Sequence, residues 1–240
     1  MDLPASSKSE MAYQFLLKQL IEAKIPPEAP LRIPSLGKDS GLGVTPMREA
    51  LRRLESERFV VMENNRGFRA AAVTQAELMD LEGCRLVIET ALLREAIAHG
   101  DDVWEAEILS SHHLLAKAVE PAETSNLDDL RLWSDRHRGF HRALLVASRS
   151  QWLNLFYDQI SNHLDRHFFS MFTGDNRSKF LRSPELISHS RAALGITHHT
   201  KLMEAVLARD EDRAVRLLEE HAGFTRRFFD RVEDQSDSSP

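Results

Sequence analysis

Apolar positions change period several times along the first 72 residues, and each change marks an element. From Ser9 to Lys24 they recur at helical spacing, and Met11, Phe15, Leu16, Leu20 and Ala23 are the expected buried stripe. Pro26, Pro27 and Pro30 end that helix, because proline carries no amide proton. Leu31-Arg32-Ile33 is short and extended, and is expected to pair with a later hairpin. A brief helix follows Pro34 and ends by Gly41. Helical spacing returns at Met47, Ala50, Leu51 and Leu54, behind Thr45 as the expected cap and Pro46 as the expected first helical residue. After Arg58 the pattern becomes strand-like. Phe59-Val60-Val61-Met62 reads as a strand, Asn64-Asn65-Arg66-Gly67 as a turn, and Phe68-Arg69-Ala70 as the return.

From Thr74 onward the sequence offers no good strand candidate. Thr74 and Glu77 make a capping box for a helix to about His99, with Leu78, Leu81, Leu86, Val87, Ala91, Leu92 and Ala96 as its apolar positions. Further helices are expected over 102–119, 127–147, 151–172, 184–209 and 211–232. The expected fold is mainly α. Residues 1–72 form a winged helix-turn-helix, 73–233 an all-α six-helix bundle, and 234–240 a polar, disordered tail.

Composition adds limits. No run of about 18 apolar residues exists, so no membrane span is expected. The N-terminus lacks a signal-peptide core, and the single cysteine, Cys84, fits a reducing cytoplasm. Cys84 lies in a helical pattern and is expected to be a small core residue. The net charge of −6 is unevenly spread: residues 1–72 hold 11 Lys+Arg against 9 Asp+Glu, while the remainder is net acidic. Such asymmetry points to two jobs on one chain.

Two sets of side chains carry candidate chemistry. Arg48, Arg52 and Arg53 lie off the apolar face of the third helix, and Arg66 sits at the hairpin tip. A helix presenting arginines, followed by a basic hairpin, is the plan of a winged DNA reader. The second set is histidine, 11 in all. His137 and His141 are four apart on one helix, as are His163 and His167, and His198, His199 and His221 follow later. Imidazole pairs at this spacing share a face and suit Zn, with Ni as a second option. Spacing alone does not choose between the pairs. A histidine-ligated metalloenzyme is one alternative, but no carboxylate sits at a recognisable general-base spacing, so no enzymatic activity is expected.

Residues 41–54, Gly-Leu-Gly-Val-Thr-Pro-Met-Arg-Glu-Ala-Leu-Arg-Arg-Leu, resemble the DNA-binding signature of the GntR family of bacterial transcription regulators. The wing, Asn64-Asn65-Arg66-Gly67-Phe68, also fits. Arg85 and Glu89 match the opening of the FCD domain that marks the FadR-type subfamily. The Gly-Leu-Gly-Val-Thr-Pro turn and the run from Trp133 to His141 look most like CsiR-like regulators, associated with glutarate and related dicarboxylate catabolism. The resemblance implies a cytoplasmic, homodimeric repressor of a catabolic operon that reads an inverted repeat in double-stranded DNA and answers to a small organic acid. It implies DNA contacts from Thr45, Arg48, Arg52, Arg53, Arg66 and Gly67. It also implies a metal held by His141, His199 and His221, with His137 standing where the family usually has aspartate. Asp135 is two residues away and faces elsewhere. Arg85 is the implied carboxylate clamp for the effector, although Glu89 one turn on could engage it internally. Where the family often has arginine just before Thr-Pro, this chain has Val44, a change expected to alter sequence preference while Arg48 keeps groove recognition. A regulator in which the ion itself is the signal is the main alternative.

Overall fold

The computed structural model describes residues 7–64, 66–172 and 174–223. The chain divides into two compact units, Met1–Thr74 with Asp165–Met171, and Gln75–Leu164 with Phe172–Pro240. The expected tail over 234–240 and the final turns of the last expected helix lie outside the described residues.

In the first unit, α1 (Lys8–Ile21) starts at Ser7, whose hydroxyl accepts the Glu10 amide at 3.1 Å. A two-residue strand β1 (Pro30–Leu31) leads into α2 (Ile33–Ser40). Gly41 ends α2 in the left-handed region, at φ 71°, which glycine adopts without a Cβ penalty. The chain then turns into α3 (Val44–Ser56) and the hairpin β2 (Val60–Glu63) and β3 (Gly67–Ala70). The sheet is antiparallel in the order β1-β3-β2, with Leu31 opposite Phe68 and Met62 opposite Phe68 from the other side. The third strand expected at residues 31–33 therefore exists, one residue earlier. Packing of α1 on α3 makes the core: Ala12, Leu16 and Leu20 meet Met47, Leu51 and Leu54, and Phe59 and Val60 close it.

Two local expectations need correction. Met11 is half exposed, and the α1 stripe runs instead through Ala12, Tyr13, Leu16, Leu17 and Leu20, because Tyr13 turns inward to donate to Glu57 at 2.7 Å. Thr45 does not cap α3. Gly43 is the cap, and Pro46 is the third helical residue, still within the first turn, where an amide proton has no intrahelical partner.

After Thr74 the described chain is helical: α4 (Gln75–His99), α5 (Asp102–Ala116), α6 (Leu127–Leu145), α7 (Gln151–Phe172), of which Asp165–Met171 belongs to the first unit, α8 (Gly174–Arg182), α9 (Pro184–Leu194), α10 (Ile196–Leu207) and α11 over 211–223. Helix α6 packs against α4 and α5, and α5 against α10. Trp104 is buried and donates its indole N–H to the Ala143 carbonyl at 2.9 Å, tying α5 to α6. Arg209, in the left-handed region at the α10–α11 turn, donates to the carbonyls of Ile97 and Gly100 and to Glu105, so one side chain closes that end of the bundle.

The six expected helical segments are subdivided. The stretch left between the helices expected over 151–172 and 184–209 holds a helix of its own, α8, with Gly174, Asp175 and Asn176 in its first turn, a position that favours Asp and Asn. Gly195 breaks the expected 184–209 helix, ending α9 and capping α10 with extended backbone. Cys84 is exposed, not core, and Val87 is 72% exposed. Helix α4 instead turns Glu82 and Glu89 inward. Among the described residues no helix is long and apolar enough to cross a membrane.

A Cβ at Gly195 would lie 2.3 Å from the Arg191 carbonyl oxygen, which is backbone and cannot step aside. Gly195→Ala should therefore lower the unfolding free energy by about 1–3 kcal/mol, as overpacking does. Equilibrium urea unfolding checks this; an unchanged midpoint would mean that the break has another cause.

Candidate metal centre and nucleic-acid interface

His137 and His141 sit one turn apart on α6, His199 on the first turn of α10, and His221 on α11. Each offers one ring nitrogen, and these four atoms lie within 4.8 Å of one another. The rings surround a common point, with centroids 4.7 Å apart for His137–His141 and 4.9 Å for His137–His199, His141–His221 and His199–His221. His163 and His167, the rival pair at the same spacing, are not in this group.

Hydrogen bonds set two of the tautomers. His141 Nδ1 lies 2.7 Å from Glu89 Oε1 and 3.3 Å from Arg85 Nη2. An ionised carboxylate only accepts, so Nδ1 carries the proton and donates to Glu89; the arginine approach is then a contact rather than a bond. His199 Nδ1 lies 2.8 Å from the Gly195 carbonyl, so it too must donate. In both rings the lone pair is left on Nε2. Those two nitrogens, with His137 Nε2, are buried without a hydrogen-bond partner. Buried polar atoms are rarely left so. Two orphaned lone pairs facing two further imidazoles are what a divalent ion of borderline softness requires. Trp133 stacks on His137 at 4.5 Å and holds its ring.

Burial disfavours the charged imidazolium, and the neighbouring rings add to the effect. His137 and His221 are held well below the ordinary histidine range, and His199 falls to about 3. For His141 burial wins over the opposing pull of Glu89. All four rings are thus in the form that binds metal. Glu89 itself is buried, which would raise its pKa, but Arg85 and His141 bring it down to about 2.

Arg85, the expected effector clamp, donates from Nε to Glu89 Oε2 at 2.8 Å. Burial opposes its charge, and Glu89 and Glu82 more than restore it. The internal pair left open by the sequence therefore forms, and its carboxylate reaches on to a metal-cluster histidine. Tyr157, buried beside Glu89 and Arg85, is not among the candidates the sequence offers, since on α7 histidine spacing draws attention to His163 and His167 instead. Arg94 is exposed and pairs with Glu211, and Asp135 points outward as expected.

On the first unit, Thr45, Arg48 and Arg52 fall at spacings of three and four on α3, and all are exposed. Arg66 and Gly67 are exposed at the hairpin tip, where Gly67 has φ 84°. Arg53 does not join this stripe. It binds Glu10 at 2.9 Å and Glu57 at 3.1 Å, and its guanidinium lies 3.5 Å over the Tyr13 ring. Its contribution is to clamp α3 onto α1.

Comparison with known proteins places both units. Residues 8–69 match the model described as bacterial regulatory proteins, gntR family, and residues 77–224 match the FCD domain. The chain is 33% identical over 211 residues to the HTH-type transcriptional repressor GlaR of Escherichia coli (strain K12), covering 87% of this chain and 90% of that one. It is 27% identical over 213 residues to the HTH-type transcriptional regulator BphR of Paraburkholderia xenovorans (strain LB400), covering 88% and 81%. Among solved structures, E. coli McbR/YncC shares the fold, with a TM-score of 0.71, 20% identity, and coverage of 96% of this chain and 99% of that one.

The neutral histidines have a consequence for stability. Unfolding lets them take up protons that the fold refuses, so the fold keeps its full stability above the ordinary value of 6.5 and loses it as pH falls. Each such group adds about 1.4 kcal/mol per pH unit to the slope. Ion-free protein should show a steep fall in denaturation midpoint below about pH 6.5, and His199→Gln should flatten it. A level profile through this window would mean that the rings are charged in the fold.

Proposed function

Because the chain belongs to the gntR family of bacterial regulatory proteins and carries an FCD domain behind its DNA-binding head, we propose that it is a homodimeric repressor of a catabolic operon whose hold on DNA is set by a small organic acid bound beside a divalent metal. Membership makes it a DNA-binding transcription regulator and not an enzyme. The observation that carries the rest is the convergence of His137, His141, His199 and His221 on one buried point. Zn suits four imidazoles best, with Ni as the second choice. With no aspartate among the four, the ion keeps its full positive charge, which favours an anionic effector. Arg85 approaches the same ring of His141, with its charge balanced by Glu89.

Exposed apolar side chains support a second copy as partner. Trp152, Leu155 and Phe156 lie on one face of α7 and are 70%, 55% and 45% exposed. Two heads brought together by the C-terminal units read an inverted repeat, with Arg48 and Arg52 in one groove and Arg66 and Gly67 at the next. The organic acid must bind one arrangement of the heads better than the other, since a ligand shifts only an equilibrium it binds differentially. A regulator answering to the metal alone is the competing reading, favoured only by the completeness of the histidine set.

Arg48→Ala should weaken operator binding by about 1–3 kcal/mol per half-site if it reads a base; an unchanged mobility-shift titration would remove it from the groove. His141→Ala and His199→Ala should lose the ion by elemental analysis. Glu89→Gln should retain it with roughly 10- to 100-fold weaker affinity in chelator competition, because the carboxylate orients His141. Operator affinity measured with chelator, and then with candidate acids, separates the two readings: toggling by metal alone defeats the organic-acid one.

A further inference from the structure

Arg177, on α8, is 7% exposed, and its Nε, Nη1 and Nη2 all lack a hydrogen-bond partner. Its guanidinium lies to one side of two rings, 5.5 Å from the centroid of Phe172 and 5.3 Å from that of Phe180. These rings meet edge to face at 4.8 Å. Among the described residues no carboxylate offsets its charge, and burial is the one influence lowering its pKa. Arginine does not escape by losing its proton. The two rings offset part of the cost of burying this charge, but they satisfy none of its N–H donors, which stay open to an arriving acceptor.

We propose that the elbow between α7 and α8 is a carboxylate-binding site, with Arg177 as the two-pronged donor and Phe172 and Phe180 as its apolar walls. The chemistry selects the class. A carboxylate accepts two parallel N–H bonds from one guanidinium and cancels its charge one for one. A phosphate dianion would leave a net negative charge against the two rings. This proposal rests on the reading that the C-terminal unit answers to an organic acid, and it assigns a residue to that recognition other than the histidines or Arg85.

The test compares thermal unfolding in sodium acetate, sodium phosphate and sodium chloride at matched ionic strength. Wild-type protein should gain melting temperature in acetate over chloride, and less in phosphate. Arg177→Met should start from a higher melting temperature, having lost an unpaired buried charge, and should show no acetate-specific gain. Its apparent acetate affinity falls roughly tenfold or more. If Arg177→Met does not fold by circular dichroism, Arg177→Lys serves, and its acetate gain should be reduced. The proposal is overturned by any of three results: no acetate gain in wild type, a full gain in either variant, or a larger gain in phosphate. Metal content of Arg177→Met should match wild type. An acetate gain that survives in Arg177→Met but vanishes in His141→Ala leaves the organic-acid reading intact and defeats this one.

Discussion

Glu89 is the buried carboxylate on which the C-terminal unit depends. One oxygen takes the Arg85 Nε–H and the other the His141 Nδ1–H, at 2.8 and 2.7 Å. Without Arg85 the carboxylate would be driven toward its neutral form by burial; without Glu89 the guanidinium would be stranded. His141 then points its remaining lone pair at the other histidines. Three residues on two helices thus use a buried ion pair to orient one imidazole of the histidine cluster.

The same carboxylate explains how much of this could be read from sequence. Arg85 and Glu89 are visible in the sequence as a helical pair, and of the two roles left open for Arg85, effector clamp or internal partner of Glu89, the internal pair is the one that forms. Of the apolar positions expected to line α4, Leu78, Leu92 and Ala96 are buried, while Val87 and Ala91 are exposed. An apolar count cannot find a face whose key members are Glu82, Glu89 and a paired arginine. The histidine set was legible only through family resemblance, since helical spacing fitted His163 and His167 equally well. In the head the pattern was stronger: α3, the hairpin and the third strand follow from period and turn chemistry. The errors there were rotations of α1 and a shift of the α3 start, both set by contacts that local spacing does not contain.

Gly195 joins the two levels of organisation. It ends α9, starts α10, and offers the carbonyl that fixes the His199 tautomer. His99 and His189 make the same contact, Nδ1 to the carbonyl four residues back at 2.8 Å, inside unbroken helices, so the bond itself does not require a break. What the break sets is where α10 begins, and with it the place of His199 in its first turn, although sequence periodicity treats residues 184–209 as one helix.

Arg53 carries a quieter consequence. Held between Glu10, Glu57 and the Tyr13 ring, its charge is neutralised within the head. On the face proposed to read DNA, Arg48, Arg52 and Arg66 remain exposed. In the dimer proposed above, with each of these three on one phosphate, a pair of heads would displace about five condensed counterions from the duplex, at roughly 0.9 for each phosphate neutralised. Ionic strength would then be a second, milder control on occupancy, acting on every DNA sequence alike, while discrimination among sequences would fall to the few side chains that reach base edges.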